Sequence, residues 1–157
     1  MMTAHSGPGP TVSIEVAGPD HVAALLPLIE AHARFEKAAA TCTADAMISA
    51  LTGPGALLFA WLAVDEMGRA IGYATATRDF STWRGKPFLH LDCLFISETA
   101  RGTGAGTQLL GAVRMFAVLL GIVELQWQTP EWNAPAERFY MKQGATVTGK
   151  RRFRLGV

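Results

Sequence analysis

The sequence has little cysteine, no long apolar run and almost no net charge. Only Cys42 and Cys93 occur in 157 residues, and neither belongs to a CxxC pair or to a cysteine–histidine spacing typical of zinc. We therefore expect no disulfide framework and no metal site, and a reducing cytoplasm is the expected compartment. No apolar run reaches the ~18 residues of a membrane span, and residues 1–10 lack the basic and apolar regions of an export signal. Neither export nor a membrane is predicted.

Charge is sparse and nearly balanced. The formal net charge is +1, and four of the basic residues lie close together, at Lys150, Arg151, Arg152 and Arg154. Without those four, acidic residues outnumber basic ones, so no broad basic face for a nucleic acid is expected. We interpret the cluster as solvated positions on an edge strand.

What the sequence does contain is enough apolar surface for one core. Half of the residues are hydrophobic, and a chain of this length buries roughly two-thirds of its unfolded surface. Glycine and proline alternate at 7–10, which predicts a flexible tail over 1–10 and a single domain over 11–157.

Apolar periodicity divides this domain into strands and helices. The predicted strands are 11–16, 57–64, 70–77, 88–96 and 122–128, with one or two further hairpin arms in 146–155. The predicted helices are 19–37, 43–51, 108–120 and 133–143. Segment 79–87 is more aromatic and charged than a connector requires, so we predict a binding loop there. The order predicts an α+β fold, a mixed antiparallel and parallel sheet with helices on both faces and one β-α-β crossover.

A glycine-rich turn before the helix 108–120 is the most informative segment. Gly102, Gly104 and Gly106 alternate with small residues, so the backbone can approach a ligand or take a positive φ. Free N–H groups and the dipole of the following helix favour an anion, and Arg101 adds a positive charge. A P-loop would need Gly-Lys-Ser/Thr at its end, and the dinucleotide fingerprint G-x-G-x-x-G fails at its third glycine.

Two motifs carry a resemblance to a known family. Arg-x-x-Gly-x-Gly, at Arg101, Gly104 and Gly106, resembles the acetyl-coenzyme A pyrophosphate loop of the GNAT superfamily of N-acetyltransferases. Further on, Asn-x-Pro-Ala-x-x-Phe-Tyr-x-x-x-Gly-Ala, from Asn133 to Ala145, is similar to the second half of the same pattern. The resemblance implies acetyl-coenzyme A as co-substrate and a Tyr140 hydroxyl near its sulfur. The residues assigned to the coenzyme are Leu94, Phe95, Ile96, Arg101, Gly102, Thr103, Gly104, Ala105, Gly106, Thr107, Asn133 and Tyr140.

A finer likeness to the diamine (spermidine/spermine) acetyltransferase branch covers most of the chain. It rests on 33–37, 80–87 and 91–95. That branch usually has Leu-Glu-Asp where this chain has Leu91-Asp92-Cys93, so one acid is shorter and the second is absent. The likeness, together with a C-terminal strand that could pair across subunits, predicts a homodimer.

Acetyl transfer to an amine requires a base for the acceptor and an acid for the leaving group. An alkyl ammonium has a pKa near 10, so it must lose a proton before it can attack. Asp92 is the leading base, with His90, on the same strand face, and Glu131 as alternatives. Backbone N–H groups of 94–96 would meet the oxyanion, and Tyr140 would protonate the thiolate. The predicted acceptor-binding residues are Glu36, Phe80, Trp83, His90 and Asp92.

These assignments predict an acetyl-coenzyme A-dependent N-acetyltransferase. It would act on a primary amine of a small molecule, polyamine-like or amino-acid-like, by direct attack in a ternary complex. No covalent enzyme intermediate is needed, and Cys93 is interpreted as an inert buried thiol. The alternatives are a non-catalytic module of the same fold that binds acyl-coenzyme A or an amine, and a protein N-acetyltransferase.

Overall fold

An open five-stranded sheet forms the centre of the computed structural model, which describes residues 11–157. The strands lie in the order β1 (Val12–Ala17), β2 (Phe59–Asp65), β3 (Ala70–Ser81), β4 (Lys86–Ile96) and β5 (Leu125–Gln126). The first four strands pair antiparallel, and β5 pairs parallel to β4. The tail predicted at 1–10 lies outside the described residues.

Four helices pack on this sheet: α1 (Val22–Phe35), α2 (Ala44–Leu51), α3 (Ala105–Leu119) and α4 (Ala134–Lys142). Helix α2 begins where the sequence predicts, because the Thr43 hydroxyl accepts a hydrogen bond from the Ala46 N–H at 3.2 Å. Helix α3 connects β4 to its parallel neighbour β5, which is the predicted crossover. The α+β fold class is confirmed. None of the helices described is both long and apolar enough to cross a lipid bilayer.

The two faces of the sheet carry separate apolar cores. The α3 face buries Leu89 and Leu91 of β4 against Leu109 and Val113 of α3. The α1 face buries other strand residues, among them Tyr73 and Phe95, against α1 and α2. Helix α4 packs its aromatic residues against the α3 face, so helices cover both faces as predicted.

Segment 79–87 is a hairpin and not the predicted loop. Strands β3 and β4 stay paired out to Ser81 and Lys86, so only 82–85 form the turn. Gly85 closes that turn with a φ of 60°, and its N–H donates to the Ser81 carbonyl at 2.8 Å. The Arg84 side chain pairs with the Glu124 carboxylate, which ties the hairpin tip to the chain before β5. The aromatic and charged residues of this segment therefore lie on two paired strands and on the short turn that joins them.

Two predicted strand segments also differ from the structure: one is shorter than predicted and the other is absent from the described chain. The predicted strand 122–128 reduces to Leu125–Gln126, because β4 diverges from its parallel neighbour after two paired positions. No strand is present in 143–157, where the side chains of Phe153 and Leu155 are almost fully exposed. Alternating apolar residues predict a strand there, but a strand also needs a neighbour to pair with, and the described chain supplies none. The predicted homodimer thus keeps only the family likeness as support.

Candidate active site

The glycine turn has the backbone conformation that its composition predicts. Gly102 and Gly104 have φ values of 79° and 84°, in the left-handed region that side-chain-bearing residues avoid. Gly104 immediately precedes α3. The Thr103 hydroxyl donates to the Ala100 carbonyl at 2.7 Å, which stabilises the turn from inside. The first N–H groups of α3 lack helical partners, and this is the arrangement that binds phosphate in other proteins.

Gly106 brings α3 close to α4. A Cβ atom placed on Gly106 would lie 3.5 Å from the Phe139 ring, already at van der Waals contact. One residue further on, the Thr107 hydroxyl accepts a hydrogen bond from the Gln143 side chain at 3.2 Å. The start of α3, after the glycine turn, and the helix that carries Tyr140 are therefore held together by direct contacts.

Arg101 connects the turn to the end of α1. Its guanidinium lies 4.8 Å from the centroid of the Phe35 ring, a distance typical of a cation–π contact. Its Nε donates to the Ile96 carbonyl at 3.4 Å. A positive charge thus lies between the glycine turn and the last residues of α1.

Strand β4 has a bulge and an open edge beside this turn. Cys93 pairs with Thr75 and Leu91 pairs with Ala76, so Asp92 is the extra residue of the bulge. Among residues 11–157, no strand pairs with the outer edge of β4 beyond His90. The Ser97 N–H donates inward to Ile71 on β3 at 2.9 Å. Alternation along the strand then directs the N–H groups of Leu94 and Ile96 to the open edge. These are the groups predicted to meet an oxyanion.

Tyr140 packs on α4 with its ring against Trp127 and Phe139, at centroid distances of 5.0 and 5.2 Å. Burial raises the pKa of Tyr140 to about 12, and the charge of Glu36 and the thiol of Cys93 act in the same direction. The phenol therefore keeps its proton at neutral pH, as a general acid must. Asn133 caps α4 by accepting the Ala136 N–H at 3.2 Å. Its carboxamide oxygen is engaged in this hydrogen bond.

Four of the five predicted acceptor residues separate into two groups, and the fifth, Glu36, lies against His32 at the end of α1. His90 and Asp92 lie near each other, with 4.0 Å between the imidazole Nε2 and a carboxylate oxygen, and the Asp92 side chain is half exposed. Phe80 and Trp83 lie at the hairpin end, and Trp83 is 98% exposed. From Ala76, opposite the bulge, to Phe80 the strand covers roughly 13 Å, at about 3.3 Å per residue. Glu131 is exposed in the turn before α4. The structure brings neither aromatic residue into contact with Asp92.

The structure also places polar residues near the bulge that the sequence interpretation missed. The imidazole of His32 lies 2.9 Å from the Tyr73 hydroxyl through Nδ1 and 3.3 Å from the Glu36 carboxylate through Nε2. His32 in the last turn of α1 and Glu36, directly after the helix, are four residues apart, so their pairing has a sequence signal. Tyr73 has none, because it is 41 residues away from His32 along the chain.

Cys93 and Thr75 complete this polar region on the α1 face. Burial raises the pKa of the Cys93 thiol to about 11, and the neighbouring Asp92 charge adds to the rise. The sulfur lies 3.7 Å from the Asp92 carboxylate. Cys93 is thus a thiol at neutral pH and a poor nucleophile. The Thr75 hydroxyl, opposite it on β3, is buried without a well-formed hydrogen bond to residues 11–157, which leaves a polar group available to a ligand or water.

Residues 27–145 match the family model described as the acetyltransferase (GNAT) family, and the chain belongs to that family. A glycine turn before a helix, next to an open, bulged strand, is thus found here in a chain of a known class.

Among curated proteins, the chain is similar to the D-amino-acid N-acetyltransferase of Saccharomyces cerevisiae. They are 32% identical over 90 residues, which cover 57% of this chain and 56% of the yeast protein. The thialysine N-epsilon-acetyltransferase of Caenorhabditis elegans is 29% identical over 125 residues, covering 78% of this chain and 75% of the relative. The match to the yeast protein spans about half of that relative's length.

Among solved structures, an aminoglycoside N-acetyltransferase in complex with CoA superposes with a TM-score of 0.76. It is 21% identical and the match covers 94% of this chain and 96% of that one. At this identity the match shows the fold alone.

Proposed function

We propose that this protein transfers an acetyl group from acetyl-coenzyme A to a primary amine of a small molecule. The observation that carries the proposal is the open edge of β4 between the bulge at Asp92 and the glycine turn. An extended pantetheine arm has backbone polar groups of its own, and an unpaired strand edge is the natural partner for them. The pyrophosphate would then lie at the N-terminus of α3, beside Arg101. The left-handed glycines keep this backbone free of side chains, so the residues present fit the coenzyme.

Acetyl-coenzyme A would supply an activated thioester, and the protein's own groups would do the rest. Asp92, half exposed at the bulge, is positioned to take the proton of an incoming ammonium, with His90 as the neighbouring alternative. The N–H groups of Leu94 and Ile96 would donate to the thioester oxygen as negative charge develops there. Tyr140, which keeps its proton at neutral pH, would donate it to the departing sulfur.

The acceptor class follows from the charges near the bulge and from the relatives. Glu36, at the end of α1, and Asp92, at the bulge of β4, both supply negative charge, which suits a cationic amine. The relatives named above act, by their names, on amino acids or a lysine analogue. We infer a small polyamine-like or amino-acid-like acceptor. The diamine branch and a homodimer remain predictions from the family likeness.

Turnover of candidate amines tests this proposal, with Tyr140→Phe as the diagnostic variant. Thiol release from acetyl-coenzyme A is measured with putrescine, lysine, ornithine and a peptide N-terminus. A positioned general acid contributes ~10²- to 10⁴-fold, so we expect turnover to fall by that factor in Tyr140→Phe. Coenzyme affinity by calorimetry serves as the control and should stay unchanged, because phenylalanine keeps the ring and its packing.

Other outcomes discriminate the alternatives. Equal turnover in the two proteins would remove Tyr140 from the mechanism. Turnover of the peptide alone would favour a protein N-acetyltransferase. If wild type binds the coenzyme but acetylates nothing offered, the protein is better described as a binding module. The absence of a second carboxylate at Cys93 is the feature that favours this last function.

A further inference from the structure

A three-residue polar chain links α1 to the inner strands beneath the bulge. It runs from the Glu36 carboxylate to the imidazole of His32, 3.3 Å away, and on to the Tyr73 hydroxyl, 2.9 Å away. The imidazole also stacks on the Phe95 ring, with 5.0 Å between centroids and 18° between planes. Tyr73 is fully buried. Both ring nitrogens and one ring face of His32 are therefore fixed by neighbours on α1, β3 and β4.

The chemistry of the partners assigns the protons in this chain. A carboxylate only accepts hydrogen bonds, so the hydrogen faces Glu36 from Nε2 of His32. Nδ1 of the neutral ring is then an acceptor, and the Tyr73 hydroxyl donates to it. Burial raises the pKa of Tyr73, so the phenol keeps the proton that this hydrogen bond needs. Tyr73 thus orients His32, and His32 orients Glu36.

Glu36 needs such support because of where it lies. It directly follows α1, at the helix end where the dipole disfavours a negative charge. Its side chain is partly exposed and would sample several rotamers if it were free. Phe35, the residue before Glu36, packs on Trp132 in the turn before α4, with 5.6 Å between the ring centroids, so the end of α1 adjoins the start of α4. Burial and, to a smaller extent, the charge of Glu36 raise the pKa of Tyr140 on α4. A carboxylate in this unfavourable position, held by a partly buried partner, suits the binding of a cation.

We propose that His32 is a positioning residue of the acceptor site, which fixes the Glu36 carboxylate as the anion that meets the acceptor's ammonium. The inference rests on the function proposed above. It predicts that His32 governs the affinity for the amine and has little influence on the acetyl-transfer step. Among the described residues, Asp92, Cys93 and Tyr140 are further titratable groups of this region. Two cations also lie at the end of α1: Arg101, 4.8 Å from the Phe35 ring, and Lys37, 5.8 Å from the Trp132 ring.

Calorimetry tests this role with putrescine and lysine as probes, on protein saturated with coenzyme A so that no reaction occurs. We expect His32→Leu to weaken binding of the amine about tenfold, the value of one hydrogen bond to a charged group. His32→Gln places an N–H donor near Glu36 again and should restore most of the affinity. Tyr73→Phe removes the support for His32 and should weaken binding in the same direction by a smaller factor.

A double-mutant cycle separates positioning from packing. In a Glu36→Gln background, His32→Leu should weaken amine binding no further, because the anion it holds is already gone. Turnover on the same samples should show a raised KM with kcat within about twofold. Coenzyme affinity and far-ultraviolet circular dichroism control for folding.

Each remaining outcome has a defined meaning. Unchanged amine affinity in His32→Leu, or an equal loss in the Glu36→Gln background, would overturn the inference. If His32→Leu does not fold, unchanged amine affinity in both His32→Gln and Tyr73→Phe would overturn it equally. Failure of both amines to bind wild type would overturn the inference and the acceptor class together. Amine binding that depends on His32, without turnover, would overturn the proposed function and leave this site in place.

Discussion

The two faces of the sheet have the same architecture and different chemistry. The apolar core of the α3 face extends from Trp61 on β2 to Val113 and Ala117 on α3, and the buried polar residue beside it, Asn133, has its side-chain oxygen paired with the Ala136 N–H. The α1 face buries a comparable apolar core but also the hydroxyls of Tyr73 and Thr75, and the imidazole of His32 packs on it. Burying polar groups costs free energy unless they find partners, so this face gives up stability that the other keeps.

The difference separates two tasks. The apolar α3 face holds one helix rigidly, and the start of that helix is the glycine turn. In our proposal, the polar α1 face supplies the groups that recognise a charged acceptor. The bulge at Asp92 and the divergence of β4 from β5 lie where the two faces meet, next to Tyr140. In our proposal, coenzyme and acceptor therefore approach from opposite faces and react at the shared edge of β4.

The largest effect is expected from truncating matched leucines on the two faces. Leu109 on α3 and Leu25 on α1 are both 0% exposed. Replacing a fully buried leucine by alanine removes packing and leaves a cavity, so Leu109→Ala and Leu25→Ala should each lower the free energy of unfolding by about 2–5 kcal/mol. Urea denaturation measures the two losses directly.

The affinity of the Leu109→Ala and Leu25→Ala variants for acetyl-coenzyme A then tests whether the two faces of the sheet have separate tasks. Leu109 lies one turn after the start of α3, so its loss should loosen the glycine turn and weaken acetyl-coenzyme A binding. Leu25→Ala should leave that affinity unchanged. An equal loss of coenzyme affinity in both variants would show that the two faces do not act separately.

The next effect concerns the glycine turn and compares two glycines of the same region. A Cβ atom at Gly104 or at Gly111 would meet nothing within 4 Å, so neither position is crowded by the protein. Only Gly104 has a left-handed φ, of 84°. A side chain in this conformation costs roughly 1–2 kcal/mol of backbone strain. If the free turn relaxes to another conformation, part of the binding free energy is used to return it to the left-handed one. Gly104→Val should therefore weaken acetyl-coenzyme A about tenfold.

Gly111→Val is the matched control, because it adds the same side chain on α3 without that strain. It should leave the calorimetric affinity for acetyl-coenzyme A unchanged. A folded Gly104→Val protein that binds the coenzyme like wild type would exclude the turn as the phosphate site. Loss of affinity in both variants would mean that side-chain bulk, and not backbone conformation, decides binding here.

Local signals in the sequence predicted the glycine turn, two helix starts and the crossover well. The glycine pattern predicted the left-handed turn, and Thr43 and Asn133 predicted two helix starts, because each depends on residues only a few positions apart. The parallel crossover followed from the same local pattern. These features need no knowledge of which strands pair.

The region around the bulge and the hairpin was predicted less well, for the opposite reason. The contact between His32 and Tyr73 joins residues far apart in sequence, and the bulge at Asp92 depends on the register of β3 against β4. The prediction of a loop at 79–87 is wrong for the same reason, because pairing between two strands decides whether polar residues form a strand. Local composition does not determine register.

The smallest effect is a dependence of stability on pH that only the α1 face should show. Burial raises the pKa of Cys93 from 9.0 to about 11. Between these values the folded protein keeps the thiol proton that the unfolded chain has lost, so this contribution to stability is complete below pH 9 and is lost as the pH rises through 11. Since one pKa unit corresponds to about 1.4 kcal/mol, raising the pH from 8 to 11 should cost wild type about 1–2 kcal/mol relative to Cys93→Ser, which cannot ionise. Tyrosine ionisation in the unfolded chain is common to both proteins, and burial raises the pKa of both Tyr73 and Tyr140 in the folded protein. Cys42→Ser, at an exposed position, should behave like wild type. A stability difference between wild type and Cys93→Ser that stays constant from pH 8 to 11 in urea denaturation would show that the thiol is not buried, and the polar α1 face would then be more open to solvent than described above.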